Sequence, residues 1–190
     1  MSTVVFLGDS ITLGVRTGVG ATDIFSYKIG NARGFSTIIN SGLANDTAAG
    51  GVTRLSADVL AHSPKSCVIM YGTNDVYNGV TVTAYKASMK SIVQTLKANS
   101  IEPVIFSPPL GRSTPQINPF PPYLIALAEI GYEENIAVID IYRRFCHFYF
   151  YYTSTDFDGL YEDWAHPSPT GHTAITNIFL EEANTNSLIP

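Results

Sequence analysis

Charge is scarce in this chain, and positive charge is scarcer still. Among 190 residues only 14% are Asp, Glu, Lys or Arg, with 11 basic against 16 acidic, a net charge of −5 and an isoelectric point near 5.2. No basic stripe is left to exchange counterions with a phosphate backbone, so a nucleic-acid partner is excluded. Cysteine is scarce too. Cys67 and Cys146 stand far apart without metal-ligand spacing, and Cys67, inside Cys67-Val68-Ile69-Met70, reads as a small buried hydrophobe. Neither suggests a disulfide framework. No apolar run approaches the length of a membrane span. Met1-Ser2-Thr3 enters a strand pattern at once, with no basic region or cleavage site, so no signal peptide is expected and cytoplasm is the default location. Low charge with abundant Ser, Thr and Asn points to the alternative, an extracellular or virion-associated protein. Histidines and carboxylates do not recur at metal-ligand intervals, so neither metal nor cofactor is expected.

Apolar residues, by contrast, make up 45% of the chain, enough for a full core without covalent staples. They fall in short runs of strand length: Val4 to Leu7, Ile38-Ile39, Val68 to Tyr71, Val104 to Phe106 and Ala137 to Ile141. Continuous β-branched runs of this kind suit a sheet covered on both faces. Between the third and fourth, Tyr85, Met89, Ile92, Val93 and Leu96 line one face of an amphipathic helix. Leu55, Val59 and Leu60 suggest a helix before the third run, and Pro121-Pro122 another through Leu124, Leu127 and Ala128. Pro167 and Pro169 sit where a last helix would begin, with Ile175, Ile178 and Phe179 inward. Strands alternating with helices make a parallel α/β sheet with right-handed crossovers. Neither repeat nor linker interrupts it, and residues 1–190 read as one domain.

In such sheets ligands bind beyond the carboxyl ends of the strands. Four polar segments fall there: Gly8-Asp9-Ser10-Ile11, Asn40-Ser41-Gly42, Gly72-Thr73-Asn74-Asp75, and Asp163-Trp164-Ala165-His166 ahead of the last helix. A serine hydroxyl needs a neighbouring base to become a nucleophile. His166 is the one histidine at such a place, and Asp163 three residues earlier is spaced to hold its other ring nitrogen.

With these four blocks in this order, from Phe6 to about His172, the chain resembles the SGNH hydrolases, also called GDSL esterases and lipases. The resemblance implies a single catalytic domain built as a three-layer α/β/α sandwich, flavodoxin-like, with a five-stranded parallel sheet. It implies Ser10 as nucleophile, Asp163 and His166 as its partners, and an oxyanion hole from the Ser10 and Gly42 N–H groups and the Asn74 amide. Gly42 would leave the substrate's approach to its N–H unobstructed. Two positions depart from the family pattern. Ile11 replaces leucine, and Asn45 stands where a second glycine is common, a position asparagine tolerates at positive φ. The Gly-x-Ser-x-Gly elbow of the α/β-hydrolases is absent.

Each residue also has a plainer reading. Ser10 could be only a helix cap, Asn74 could brace its own turn, and Asp163 could be a surface carboxylate. Asp9 and Asp75 read as structural acceptors of backbone hydrogen bonds, with Asp9, like Trp164, also a candidate for substrate contact. His62, His147 and His172 read as packed or surface residues. The aromatic run Phe145 to Tyr152, with Phe157, Tyr161 and Trp164, would form a loop walling the cleft, a core element or an interface. The Pro-rich segment 107–122 would form the opposite wall. The expected activity is hydrolysis of short-chain esters through an acyl-serine, carbohydrate O-acetyl groups foremost, with a small-molecule or glycan ester as the partner. The alternatives are a lysophospholipase or acyl thioesterase of the same family and a non-catalytic glycan-binding module. A mononucleotide binder is disfavoured, because the loop after the first strand is poor in glycine and carries a carboxylate where phosphate would sit.

Overall fold

The computed structural model describes residues 2–14, 16–112 and 119–186. Strand β1 (Thr3–Gly8) leads into the single turn of α1 (Ser10–Leu13), and α2 (Phe25–Ala32) returns to β2 (Thr37–Gly42). Then follow α3 (Ala48–Asp58), β3 (Ser66–Met70), α4 (Thr73–Tyr77), α5 (Val82–Ala98) and β4 (Glu102–Phe106). The chain ends with α6 (Pro121–Glu134), β5 (Ala137–Ile139), α7 (Ile141–Tyr151), α8 (Ser154–Asp158) and α9 (Pro169–Thr185). The five strands are parallel, in the order β2-β1-β3-β4-β5.

Alternation along the strands builds two cores. Val4, Phe6, Val104 and Phe106 face α2, α7 and α9, meeting Phe25, Ile29, Phe145, Ile175 and Phe179. Val5, Leu7, Ile69 and Ile105 face α3, α5 and α6, meeting Leu55, Met89, Ile92, Val93, Leu96 and Ile130. The α5 residues are those its sequence period marks as buried. Each fully buried side chain of this size stabilises the fold by about 1.5–3 kcal/mol. The result is the expected three-layer sandwich. From β1 the chain steps outward to β2, then crosses to β3 on the other side. A crevice therefore opens between the carboxyl ends of β1 and β3, where such sheets place their ligands.

Three local expectations are corrected. The fifth run stops at Ile139, because the Asp140 side chain accepts from Arg143 N–H at 3.0 Å and starts a helix. The aromatic run is accordingly helical, as α7, with Ile141, Tyr142 and Phe145 turned inward, and not a loop. At the last helix only Pro169 takes a first-turn position, behind the Ser168 cap. Pro167 lies outside, bridged to Tyr161. The proposed Pro-rich wall falls partly on residues 113–118, outside the described residues.

Candidate active site

Gly8 ends β1 where a side chain has no room: a Cβ there would stand 2.1 Å from Thr12 Oγ1 and 2.5 Å from the Met70 carbonyl oxygen. Asp9 then caps α1, its Oδ1 accepting from Ile11 N–H at 2.9 Å. This tight strand-to-helix turn presents Ser10 as the first residue of α1. On the far side of the site, Asp163 Oδ1 accepts the N–H groups of Ala165 and His166, both at 2.9 Å. That small turn folds the histidine back over its own carboxylate. His166 Nδ1 lies 2.8 Å from both Asp163 oxygens, and Nε2 lies 2.8 Å from Ser10 Oγ. Serine, imidazole and carboxylate thus form one hydrogen-bonded chain between residues 156 apart in sequence.

Burial holds His166 below its ordinary pKa, the Arg16 guanidinium adds to that, and Asp163 opposes both. For Asp163 burial pulls upward, but the two N–H donors and the His166 ring outweigh it and set the carboxyl below its usual range. The imidazole is therefore neutral and its orienting carboxylate ionised at neutral pH. Arg16 was not singled out in the sequence. Its guanidinium rests against His166 Nε2, the nitrogen that also faces Ser10.

As the first residue of α1, Ser10 has an N–H with no acceptor in the helix and none among the other described residues. Asn74, on α4, gives one amide hydrogen to the Asp46 carbonyl at 2.8 Å, and the other has no acceptor among the described residues. The third expected donor is corrected. The Gly42 N–H is taken by Asn40 Oδ1 at 2.9 Å, so it is not free for an oxyanion. Nor does glycine serve substrate access there: a Cβ would stand 2.1 Å from the Leu13 backbone nitrogen, so the residue lets α1 lie on β2. Asn45 does adopt positive φ, 62°, and its N–H has no acceptor among the described residues.

Asp9 is corrected as well. It is only 1% exposed and turned into the protein, which removes it from substrate contact. Burial pushes its carboxyl up to about 7, with the Asp75 and Asp46 carboxylates adding to the effect against the Ile11 N–H. Burial likewise lifts Asp75, whose carboxylate accepts from Ala48 N–H, to about 6. A folded pKa raised from 3.8 to about 7 contributes stability that is full below about pH 4 and lost as pH rises through 7. Asp9→Asn is expected to gain on the order of a few kcal/mol relative to the native chain at pH 8, and little at pH 4. Thermal unfolding of both proteins across that range checks this; an unchanged difference between pH 4 and 8 contradicts it.

Below the crevice lies a polar network that sequence reasoning missed. Arg54 Nη2 donates to the Gly8 carbonyl at 2.9 Å and to Tyr71 Oη at 2.8 Å, and Nε meets Asp46 at 2.7 Å. Asp46 in turn accepts from Tyr71, and its carbonyl holds Asn74. One guanidinium so ties the ends of β1 and β3 to the loop after β2. The signal available was the small-residue start of α3: a Cβ on Gly51 would stand 2.7 Å from the Tyr71 ring.

Trp164 is 45% exposed and meets Tyr77 edge to face, ring centres 4.8 Å apart, beside His166 and α4. Phe145, Phe157 and Tyr161 are core residues, whereas Phe150 and Tyr151 point outward on α7. His172 is packed, stacked on Phe25 and pushed down to about 4 by burial. Among the described residues no cluster of His, Cys, Asp or Glu could hold a metal ion, and no helix is long and apolar enough to cross a membrane.

The chain is similar in sequence and fold to known proteins. The model of the GDSL-like lipase/acylhydrolase family matches residues 6–174. Thioesterase 1/protease 1/lysophospholipase L1 of Escherichia coli K12 is 27% identical over 109 residues, 54% of this chain and 49% of that protein, so the chain spans about half the length of that relative. The crystal structure of a lipase/acylhydrolase from Enterococcus faecalis is 26% identical, with a TM-score of 0.78 over 97% of this chain and 96% of the other. A catalytic mutant of an acetylxylan esterase from Geobacillus stearothermophilus superposes with a TM-score of 0.79 over 95% of this chain and 93% of its own, at 22% identity, a likeness of fold.

Proposed function

The chain belongs to the GDSL-like lipase/acylhydrolase family, and on that premise we propose that it is a serine esterase acting on short-chain esters, carbohydrate O-acetyl groups foremost. The observation that carries the reading is the Ser10–His166–Asp163 chain. Ser10 Oγ attacks the ester carbonyl while its proton passes to His166 Nε2, and the imidazolium then protonates the leaving alcohol. Water, deprotonated by the same nitrogen, releases the acid. Asp163 fixes the ring with its proton on Nδ1 and steadies the charge that forms. The negative oxygen of the tetrahedral intermediate is met by the Ser10 N–H and the free Asn74 amide hydrogen. The Asn45 N–H takes the third place in Gly42's stead.

The acetyl-carbohydrate substrate rests on the paired, half-exposed rings of Trp164 and Tyr77 next to His166, a platform on which a sugar ring can stack. The fold likeness to an acetylxylan esterase agrees with it. A second reading, long-chain acyl thioester or lysophospholipid hydrolysis, is favoured by the name of the E. coli relative. A series of p-nitrophenyl esters separates the two, with kcat/KM expected to be greatest for acetate to butyrate. A maximum at eight carbons or more overturns the short-chain reading. No hydrolysis at any length, and no labelling of Ser10 by a fluorophosphonate, would favour a glycan-binding module on this fold.

The pH profile follows from the state of His166. Only neutral imidazole takes the serine proton, and its pKa lies below the ordinary 6.5. The acid limb of kcat/KM is therefore expected to have its midpoint below 6.5, with a plateau on its alkaline side. A midpoint above 7, or a flat profile from pH 4 to 8, contradicts the role given to His166.

A further inference from the structure

We propose that Arg16 recognises an anion, making the site selective for esters that carry a carboxylate or phosphate near the scissile bond. The proposal rests on the esterase reading and names the class of substrate. Arg16 lies six residues after the nucleophile, in a turn closed by its bridge to Val19, whose N–H donates to the Arg16 carbonyl at 3.0 Å. Val19 is buried, so the turn is pinned to the core while the guanidinium stays exposed at the site.

Its partnership is unusual for an arginine. Arg54, Arg112, Arg143 and Arg144 each meet a carboxylate. Arg16 meets none among the described residues, and Glu162, whose carboxylate faces the same turn near Gly18, makes no ion pair with it. Its contact is instead with His166 Nε2. With the ring proton on Nδ1 facing Asp163, Nε2 has one lone pair, while both the Ser10 hydroxyl and an Arg16 N–H are directed at it. The two donors compete. While the guanidinium holds the lone pair, His166 cannot accept the serine proton.

An anion resolves the competition. Carboxylates and phosphates accept two parallel N–H bonds from a guanidinium, a far better match than one imidazole nitrogen. A substrate anion in reach of Arg16 draws the guanidinium off Nε2 and returns the lone pair to Ser10. Binding of the correct ester and release of the base are then one event. A neutral ester has to displace Arg16 without that compensation.

The test compares esters that differ only in the remote group: 3-acetoxybenzamide (neutral), 3-acetoxybenzoate and 3-acetoxybenzyl phosphate. The ratio of kcat/KM for each anionic ester to that of the amide is measured in the native protein, Arg16→Ala and Arg16→Lys. Comparison between proteins cancels the intrinsic reactivity of each ester. The expected result is a ratio lowered roughly 10–100-fold by Arg16→Ala and partly restored by Arg16→Lys, with the larger drop telling carboxylate from phosphate. A ratio unchanged by Arg16→Ala for both anions overturns the proposal while leaving the esterase reading intact. Loss of hydrolysis of all three esters by the native protein overturns the esterase reading, and this proposal with it.

Discussion

Ser10→Ala lowers kcat on acetyl esters by on the order of 10⁴–10⁶ with little change in melting temperature. Removal of the nucleophile from a working triad costs about this much, because the remaining groups act only together with it. The side chain is partly exposed and, among the described residues, its one hydrogen bond is to His166, so the folded state loses little. His166→Ala is expected to fall as far. Asp163→Asn should lose about 10⁴, because an amide can present its NH₂ to Nδ1 and turn the ring proton toward Ser10, the wrong tautomer for a base. Steady-state rates on p-nitrophenyl acetate, with unfolding curves of the same preparations, decide the matter. Activity within tenfold of native in Ser10→Ala removes Ser10 from the chemistry.

Asn74→Ala lowers kcat by about 10²–10³ and leaves KM within a few-fold, the signature of a donor used chiefly when charge develops on oxygen. A competing account is available, because Asn74 also holds the Asp46 carbonyl and could matter only for the shape of that loop. Asn74→Asp also gives up the bond to Asp46, so melting temperature read beside kcat is what separates the two accounts, and the Asp variant adds a test of charge at the site. It keeps the size of the side chain but swaps a donor for a negative charge beside the forming oxyanion, so it should be at least as slow as Asn74→Ala. A variant whose melting point falls while kcat stays within tenfold of native would assign Asn74 to the loop alone.

Sequence resolved this protein unevenly, and the reasons are physical. The runs at Val4, Val68 and Val104 could be read as buried strands because a sheet covered on both faces needs unbroken apolar stretches. Ser10, Asn74 and His166 could be placed at one edge because parallel strands present all their carboxyl ends together. What stayed hidden were properties of side-chain geometry. Whether the Gly42 N–H is free depends on where Asn40 turns, and no spacing encodes that. Asp9 sits one residue from an exposed serine, yet the sharpness of the turn buries it. In α7 the helical period was masked because both faces carry aromatic rings, so inward Phe145 and outward Phe150 look alike in the sequence. Arg16 and Arg54 were passed over for a similar reason: a lone arginine acquires meaning only from its neighbours.

The separation of 156 positions between Ser10 and His166 bears on how the protein comes to life during synthesis. Closing so long a span requires β1, β3 and α9 to be seated first, since those elements fix the two ends of the gap. A nascent chain that has emerged only through β5 already contains all five strands but not the segment carrying the base. A chain halted after β5 therefore cannot form the Ser10–His166 contact, and the proposed base joins its nucleophile only once the segment leading into α9 has emerged.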